Sequence, residues 1–129
     1  MRVPERWFRA FWTVVTIAVA VFIFYQSTGG SSDPGVPDLS TTQAYVGHVG
    51  VYAVLGFCAQ TALLSRRWQT IAAAIIVAGL FGAGLELYQS TLEGREASVY
   101  DAIANLTGAI LGSMVAVWFA PNWRRFVVG

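Results

Sequence analysis

Four apolar stretches, each close to twenty residues long and separated by polar segments, leave this chain few ways to fold. They run from about Ala10 to Gln26, Tyr45 to Leu64, Gln69 to Tyr88 and Asp101 to Phe119. A helix crosses the hydrocarbon of a bilayer with about 20 residues, within a range of about 17–25. Hydrocarbon offers no partner to a backbone N–H or C=O, so each stretch is expected to be a helix that satisfies its own backbone. Composition separates such spans from the helices of a soluble core. The chain of 129 residues is 56% hydrophobic and only 12% charged, with a mean hydropathy of +0.58. A soluble domain carries about 25% charged residues. The expected architecture is all-α: a single polytopic membrane domain over residues 1–129, with four transmembrane helices in a compact bundle. Arg residues before an apolar run also begin a signal peptide, but this run is long and no clear small-residue cleavage site follows it, so helix 1 is expected to be retained.

The basic residues give the orientation. All eight are Arg. Arg2, Arg6 and Arg9 precede helix 1, Arg66 and Arg67 fill the turn between helices 2 and 3, and Arg124 and Arg125 follow helix 4. Alternating helices put these on one side and leave Arg95 on the other. The positive-inside rule makes the Arg-rich side, with both termini, cytoplasmic. The aromatics divide the same way. Trp7, Trp12, Trp68, Trp118 and Trp123 fall near the cytoplasmic boundary; Tyr25, Tyr45, Tyr88 and Tyr100 fall near the outer one, with Tyr52 deeper. The localisation implied is a cell membrane crossed several times. The Gly, Ser, Pro and Asp of residues 27–44 read as a flexible outer linker that frees helix 1 from close packing with the other three. Cys58 is alone, so it forms no disulfide within the chain. A net charge of +1 gives no basis for a nucleic-acid partner.

Ionisable residues inside a membrane are costly and mark functional sites by default. Here they gather at the outer rim. His48 lies three residues into the expected helix 2, about 4–5 Å along its axis. Glu86 and Gln89 end helix 3, Asp101 opens helix 4, and Asn105 follows one turn in; Arg95 and Ser98 lie in the loop between. Glu86 and Gln89 are i,i+3 and share a face that Gly79 and Gly82 continue; Asp101 and Asn105 are i,i+4, with Gly108 and Gly112 on the same stripe. His48 and Tyr52 are i,i+4, with Leu55 and Gly56 beyond. Each of helices 2–4 therefore carries small residues under a polar cap, and Gly108-x-x-x-Gly112 lets helix backbones approach closely. Helices 2–4 are expected to pack more tightly with one another than with helix 1. Each polar residue also has a plain structural reading. Ser98 or Asp101 caps helix 4, His48 is a structural hydrogen-bonder, Asn105 is interhelical glue, and Arg95 is a solvated loop charge. Glu86, at the end of an apolar helix, fits such a reading least, and Arg95 and His48 are its expected partners.

The series Glu86, Gln89, Arg95, Ser98, Asp101, Asn105, Gly108 and Gly112, at this spacing, resembles the core motif of VanZ-like membrane proteins. His48, Tyr52 and Leu55 resemble that family's earlier His motif. The resemblance spans roughly residues 45–115. One departure is plain: Ala44 and Tyr45 stand where the family often has an Asp-Lys pair. The resemblance implies a small multi-helix membrane protein. The family takes its name from a member associated with low-level teicoplanin resistance, and the resemblance implies no particular activity.

Three functions stay open from the sequence. The first is binding or handling an envelope lipid or another amphipathic or anionic ligand. Arg95 would hold its phosphate or carboxylate, Gln89 and Asn105 would orient it, and the N-terminus of helix 4 would add its dipole. The second is an intramembrane hydrolase or transferase on a lipid-linked substrate. His48 would be general acid or base, Glu86 its partner, Arg95 the charge stabiliser, and Asp101 a further candidate. A metal variant of it would use His48, Glu86 and Asp101 as ligands. No H-E-x-x-H pair or Cys cluster is present, so the sequence assigns no metal and names no cofactor. The third is a structural or accessory role beside partners the sequence does not identify, with the lipid bilayer as the one certain neighbour.

Overall fold

The computed structural model describes residues 2–29, 41–92 and 97–128. Among the described residues four helices, α1 (Glu5–Thr28), α2 (Thr41–Leu63), α3 (Trp68–Gln89) and α4 (Val99–Phe126), run up and down in sequence order. Two short strands flank them, β1 (Val3–Pro4) and β2 (Val127–Val128). All four helices are long and apolar enough to cross a membrane. The chain is thus an all-helical, multi-pass bundle, as expected.

α1, α3 and α4 run beyond both ends of the stretches read from hydropathy and α2 begins four residues earlier, at Thr41, chiefly because helix ends use polar residues that an apolar window leaves out. Glu5 sits in the first turn of α1, where the helix dipole favours an anion, and pairs with Arg9 at 3.3 Å. Ser98 caps α4, its hydroxyl accepting from the Asp101 N–H at 3.2 Å. At its other end α4 continues through Pro121, with Arg124 and Arg125 in the last turn, where cations suit the carbonyl end. Hydroxyls within the spans return to the carbonyl one turn back, as Thr16 does to Trp12 and Thr61 to Phe57, so each enters the apolar phase with its donor satisfied.

The bundle is built on the α2–α4 contact, its most extensive. The α4 face is small: Ala104, Gly108, Ala109, Gly112, Ser113 and Ala116 are all buried. A Cβ added at Gly108 or Gly112 would overlap the backbone carbonyls of Val49 or Ala53, and one at Gly56 would overlap Ala109. The two backbones touch where side chains would otherwise hold them apart, the small-residue packing that membranes favour. Ser113 adds a hydroxyl bond to the Gly56 carbonyl at 3.3 Å. α3 lies against α4, with Gly82 facing Tyr52 and Asn105.

The expectation for α1 needs correcting. It is the least buried helix, with Ile23 its one buried residue. Yet its contact with α2 matches that of α3 with α4 and exceeds that of α3 with α2. Ile23, Val19 and Ala20 pack into the same core as Tyr52, Leu55, Ala78 and Leu85. Both ends of α1 are also tied down. At one end β1 pairs in parallel with β2, Val3 opposite Val127, and Trp12 packs edge-on to Phe57 and tilted against Trp123, with ring centroids 5.9 and 6.0 Å away. At the other, Gln89 Nε2 donates to the Ser27 carbonyl at 2.7 Å.

The α2–α3 turn is held by contacts that the sequence did not advertise. Leu64 adopts a left-handed φ of 47°, a conformation that usually selects Gly at a helix end. Its carbonyl accepts from Arg124 Nη2 at 2.9 Å, and the next carbonyl, of Ser65, accepts from Gln60 Nε2 at 2.6 Å.

Candidate functional site

The site lies at the end of the bundle away from the termini, where α2, α3 and α4 each bring a polar side chain to one point. Because α2 begins at Thr41, His48 sits seven residues in, about 10 Å along the axis, deeper than a start at Tyr45 implied. Its ring faces α4. Nδ1 lies 2.8 Å from Asn105 Oδ1. An amide oxygen only accepts, so Nδ1 is the donor in this contact. Nε2 points toward Asp101, with Oδ2 3.9 Å away.

Asp101 is free for this because Ser98 takes over the capping. Of the two capping candidates in the sequence, the hydroxyl serves the helix end and the carboxylate turns to the site. The first turn of α4 suits its negative charge.

Glu86 has a harder setting. It is 6% exposed and lies in the last turn of α3, where free carbonyls disfavour an anion. Oε2 accepts from the Ser98 backbone N–H at 3.3 Å, so the start of α4 supports both carboxylates. One ligand atom from each of His48, Glu86 and Asp101 lies within 4.8 Å of the others. His48 and Asp101 are partly exposed, with side-chain exposures of 29% and 33%, and form the mouth; Glu86 and Asn105 form the floor.

The structure therefore gathers His48, Glu86, Asp101 and Asn105. Gln89 stands apart, its amide nitrogen bound to the end of α1. Arg95 and its expected pairing with Glu86 fall outside the described residues, as do Glu93 and Glu96. Among the described residues every Arg lies at the opposite end of the bundle, and the described groups that meet at the site are two carboxyls, one imidazole and the Asn105 amide.

A second buried polar group escaped the sequence reading. Gln60 is 2% exposed near the opposite end of α2. It continues the i,i+4 stripe of His48, Tyr52 and Gly56, and that spacing was its available signal. Gln60 Oε1 and Trp123 Nε1 are buried without a hydrogen-bond partner among the described residues.

The model of the VanZ/LLP1 family matches residues 3–120. No curated protein and no solved structure gives a match.

Proposed function

The chain belongs to the VanZ/LLP1 family, and from that premise we propose that it binds or handles the polar end of an envelope lipid, or of another amphipathic ligand, at an outward-facing site. The observation that carries this reading is the convergence of His48, Glu86 and Asp101 from three helices at the rim of a membrane bundle. A structural cluster has no need of an open mouth, whereas His48 and Asp101 are partly exposed. The surroundings suit a ligand with an apolar tail. Val99, Tyr100 and Leu87 stand exposed near the site. A lipid-facing groove of about 380 Å³ runs between α1 and α2, lined by Val15, Ala18, Val19, Phe22, Val51 and Val54. Val51 is one turn along α2 from His48. The outward direction follows from the excess of Arg at the other end.

The test is native mass spectrometry of the purified chain. Stoichiometric lipid is expected on the wild type and on Gly84→Ala, a position with open space around it, and is expected to be lost from Asp101→Ala. Equal lipid occupancy on all three proteins would refute the reading.

One observation favours a second reading, a hydrolase or transferase acting on a lipid-linked substrate. Asn105 Oδ1 holds His48 Nδ1 at 2.8 Å and leaves Nε2 turned toward Asp101 at the mouth, the placement a general base requires. Turnover of a lipid-linked substrate, lost in His48→Ala while lipid is retained, would establish it over simple binding.

A further inference from the structure

Two carboxyl groups beside one imidazole suit the phosphate or carboxylate of an anionic headgroup poorly, and the Glu86 carboxyl is buried at a helix carbonyl end, where an anion is disfavoured. A small cation of high charge resolves both problems. We propose that His48 Nε2, Glu86 and Asp101 form the binding site of a single divalent transition-metal cation, of which Zn²⁺ is the type, with a coordination position left open at the mouth. The inference deepens the lipid-binding reading, since the open position would take the anionic oxygen of that same ligand.

The geometry supports a site assembled before the metal arrives. The three ligand atoms lie within 4.8 Å of one another, and His48 Nε2 and Asp101 Oδ2 are 3.9 Å apart. Bonds of about 2.0–2.2 Å at a tetrahedral centre separate ligand atoms by about 3.4 Å. The contraction needed is small and lies within the swing of two carboxylates. The outer contacts are those a metal site uses. A ligating imidazole almost always donates its other N–H to a fixed acceptor, which sets the tautomer and aims the lone pair; here Asn105 Oδ1, on a buried residue, is that acceptor at 2.8 Å. A ligating carboxylate is itself hydrogen-bonded, as Glu86 is by the Ser98 N–H. Three protein ligands and a vacant fourth position distinguish a working zinc site from a closed structural one. One imidazole with two carboxylates suits Zn²⁺ better than Mg²⁺ or Ca²⁺, which favour all-oxygen sets.

The competing counter-charge is the guanidinium of Arg95, close in sequence to Glu86, and the experiment separates the two. The tag-free full chain, in a zwitterionic detergent, is stripped with chelator and titrated with Zn²⁺ by calorimetry, with bound metal counted by plasma mass spectrometry. One Zn²⁺ per chain is expected. His48→Ala, Glu86→Gln and Asp101→Asn should abolish it, and Asn105→Ala should weaken it by about 10–100-fold, as loss of an outer-shell partner does. Arg95→Gln should leave it in place. His48→Cys guards against loss of fold: loaded with Co²⁺, it should show a thiolate-to-cobalt charge-transfer band that the wild type lacks. Binding that is substoichiometric, or equal in wild type and His48→Ala, overturns the proposal, as does absence of that band from a folded His48→Cys chain. Lipid retained by the chelated, zinc-free wild type in a chain that takes no Zn²⁺ would overturn the metal and leave the lipid reading standing. Zinc bound with no lipid under any condition would do the reverse.

Discussion

At the scale of single residues, Asn105 controls His48. Its carboxamide is buried, and its oxygen accepts from Nδ1 at 2.8 Å. Removing it leaves a partly buried ring N–H without its partner, which costs about 0.5–1.5 kcal/mol, and frees the imidazole to change tautomer. Asn105→Ala is therefore expected to lower stability by that amount. It should also move the ¹⁵N shifts of the imidazole away from the Nδ1–H form expected in the wild type. His48 is the single histidine of the chain, so the spectrum needs no assignment strategy. An unchanged tautomer in Asn105→Ala would show that the amide does not orient the ring. The identities of His48, Glu86, Asp101 and Asn105 were legible in the sequence because a polar or ionisable residue near the end of an apolar helix stands out against it, and Asn105 follows Asp101 by one turn. The division of labour between Ser98 and Asp101 was not legible, since a hydroxyl and a carboxylate cap a helix equally well until their positions are known. Gln60 went unread because, unlike Asn105, it has no ionisable residue one turn away to mark it; its neighbours there are Gly56, Phe57, Leu63 and Leu64.

At the scale of the elements, small residues set the distance between α2 and α4. A methyl group at Gly112 would overlap the backbone of Ala53, and one at Gly108 that of Val49. Backbone cannot step aside as a flexible side chain can. Gly112→Ala and Gly108→Ala are thus expected to destabilise the fold by about 1–3 kcal/mol. Gly84→Ala, with open space at its Cβ, should be neutral or stabilising. Reversible unfolding in mixed micelles compares them, and equal stability of all three variants would contradict the close approach. Capping belongs to the same scale: Ser98→Ala removes the acceptor for the Asp101 N–H and should cost about 1 kcal/mol. The stripe of Gly108 and Gly112 was readable from spacing alone, because i,i+4 periodicity fixes which residues share a helix face. The packing of α1 was not. Val19, Ala20 and Ile23 look like any lipid-facing residues, and the ties at its two ends join residues far apart in the chain.

At the scale of the whole molecule, alternating helices put both termini and the α2–α3 turn at one end and the site at the other. With the Arg excess at the termini end, the site is expected to face outward. Thr91→Cys, in a chain whose Cys58 is replaced by Ala, should react with a membrane-impermeant maleimide in intact cells. Ser65→Cys should react only after permeabilisation, and the opposite pattern would invert the protein. The four spans were legible at this scale because length and apolarity alone decide them, while their exact ends depend on caps that no hydropathy window registers. The central claim is that side chains from separate helices meet at one site, with His48 of α2 beside Asp101 of α4 at its mouth. Rotational-echo double-resonance NMR in lipid bilayers tests it most directly, between ¹⁵N-labelled His48 and chains labelled with ¹³C at the Asp carboxyl. With Nε2 3.9 Å from Asp101 Oδ2, and a carbon–oxygen bond adding about 1.2 Å, strong dephasing of Nε2 is expected, and it should vanish in Asp101→Ala. Absence of dephasing in the wild type would place His48 and Asp101 apart and contradict the account.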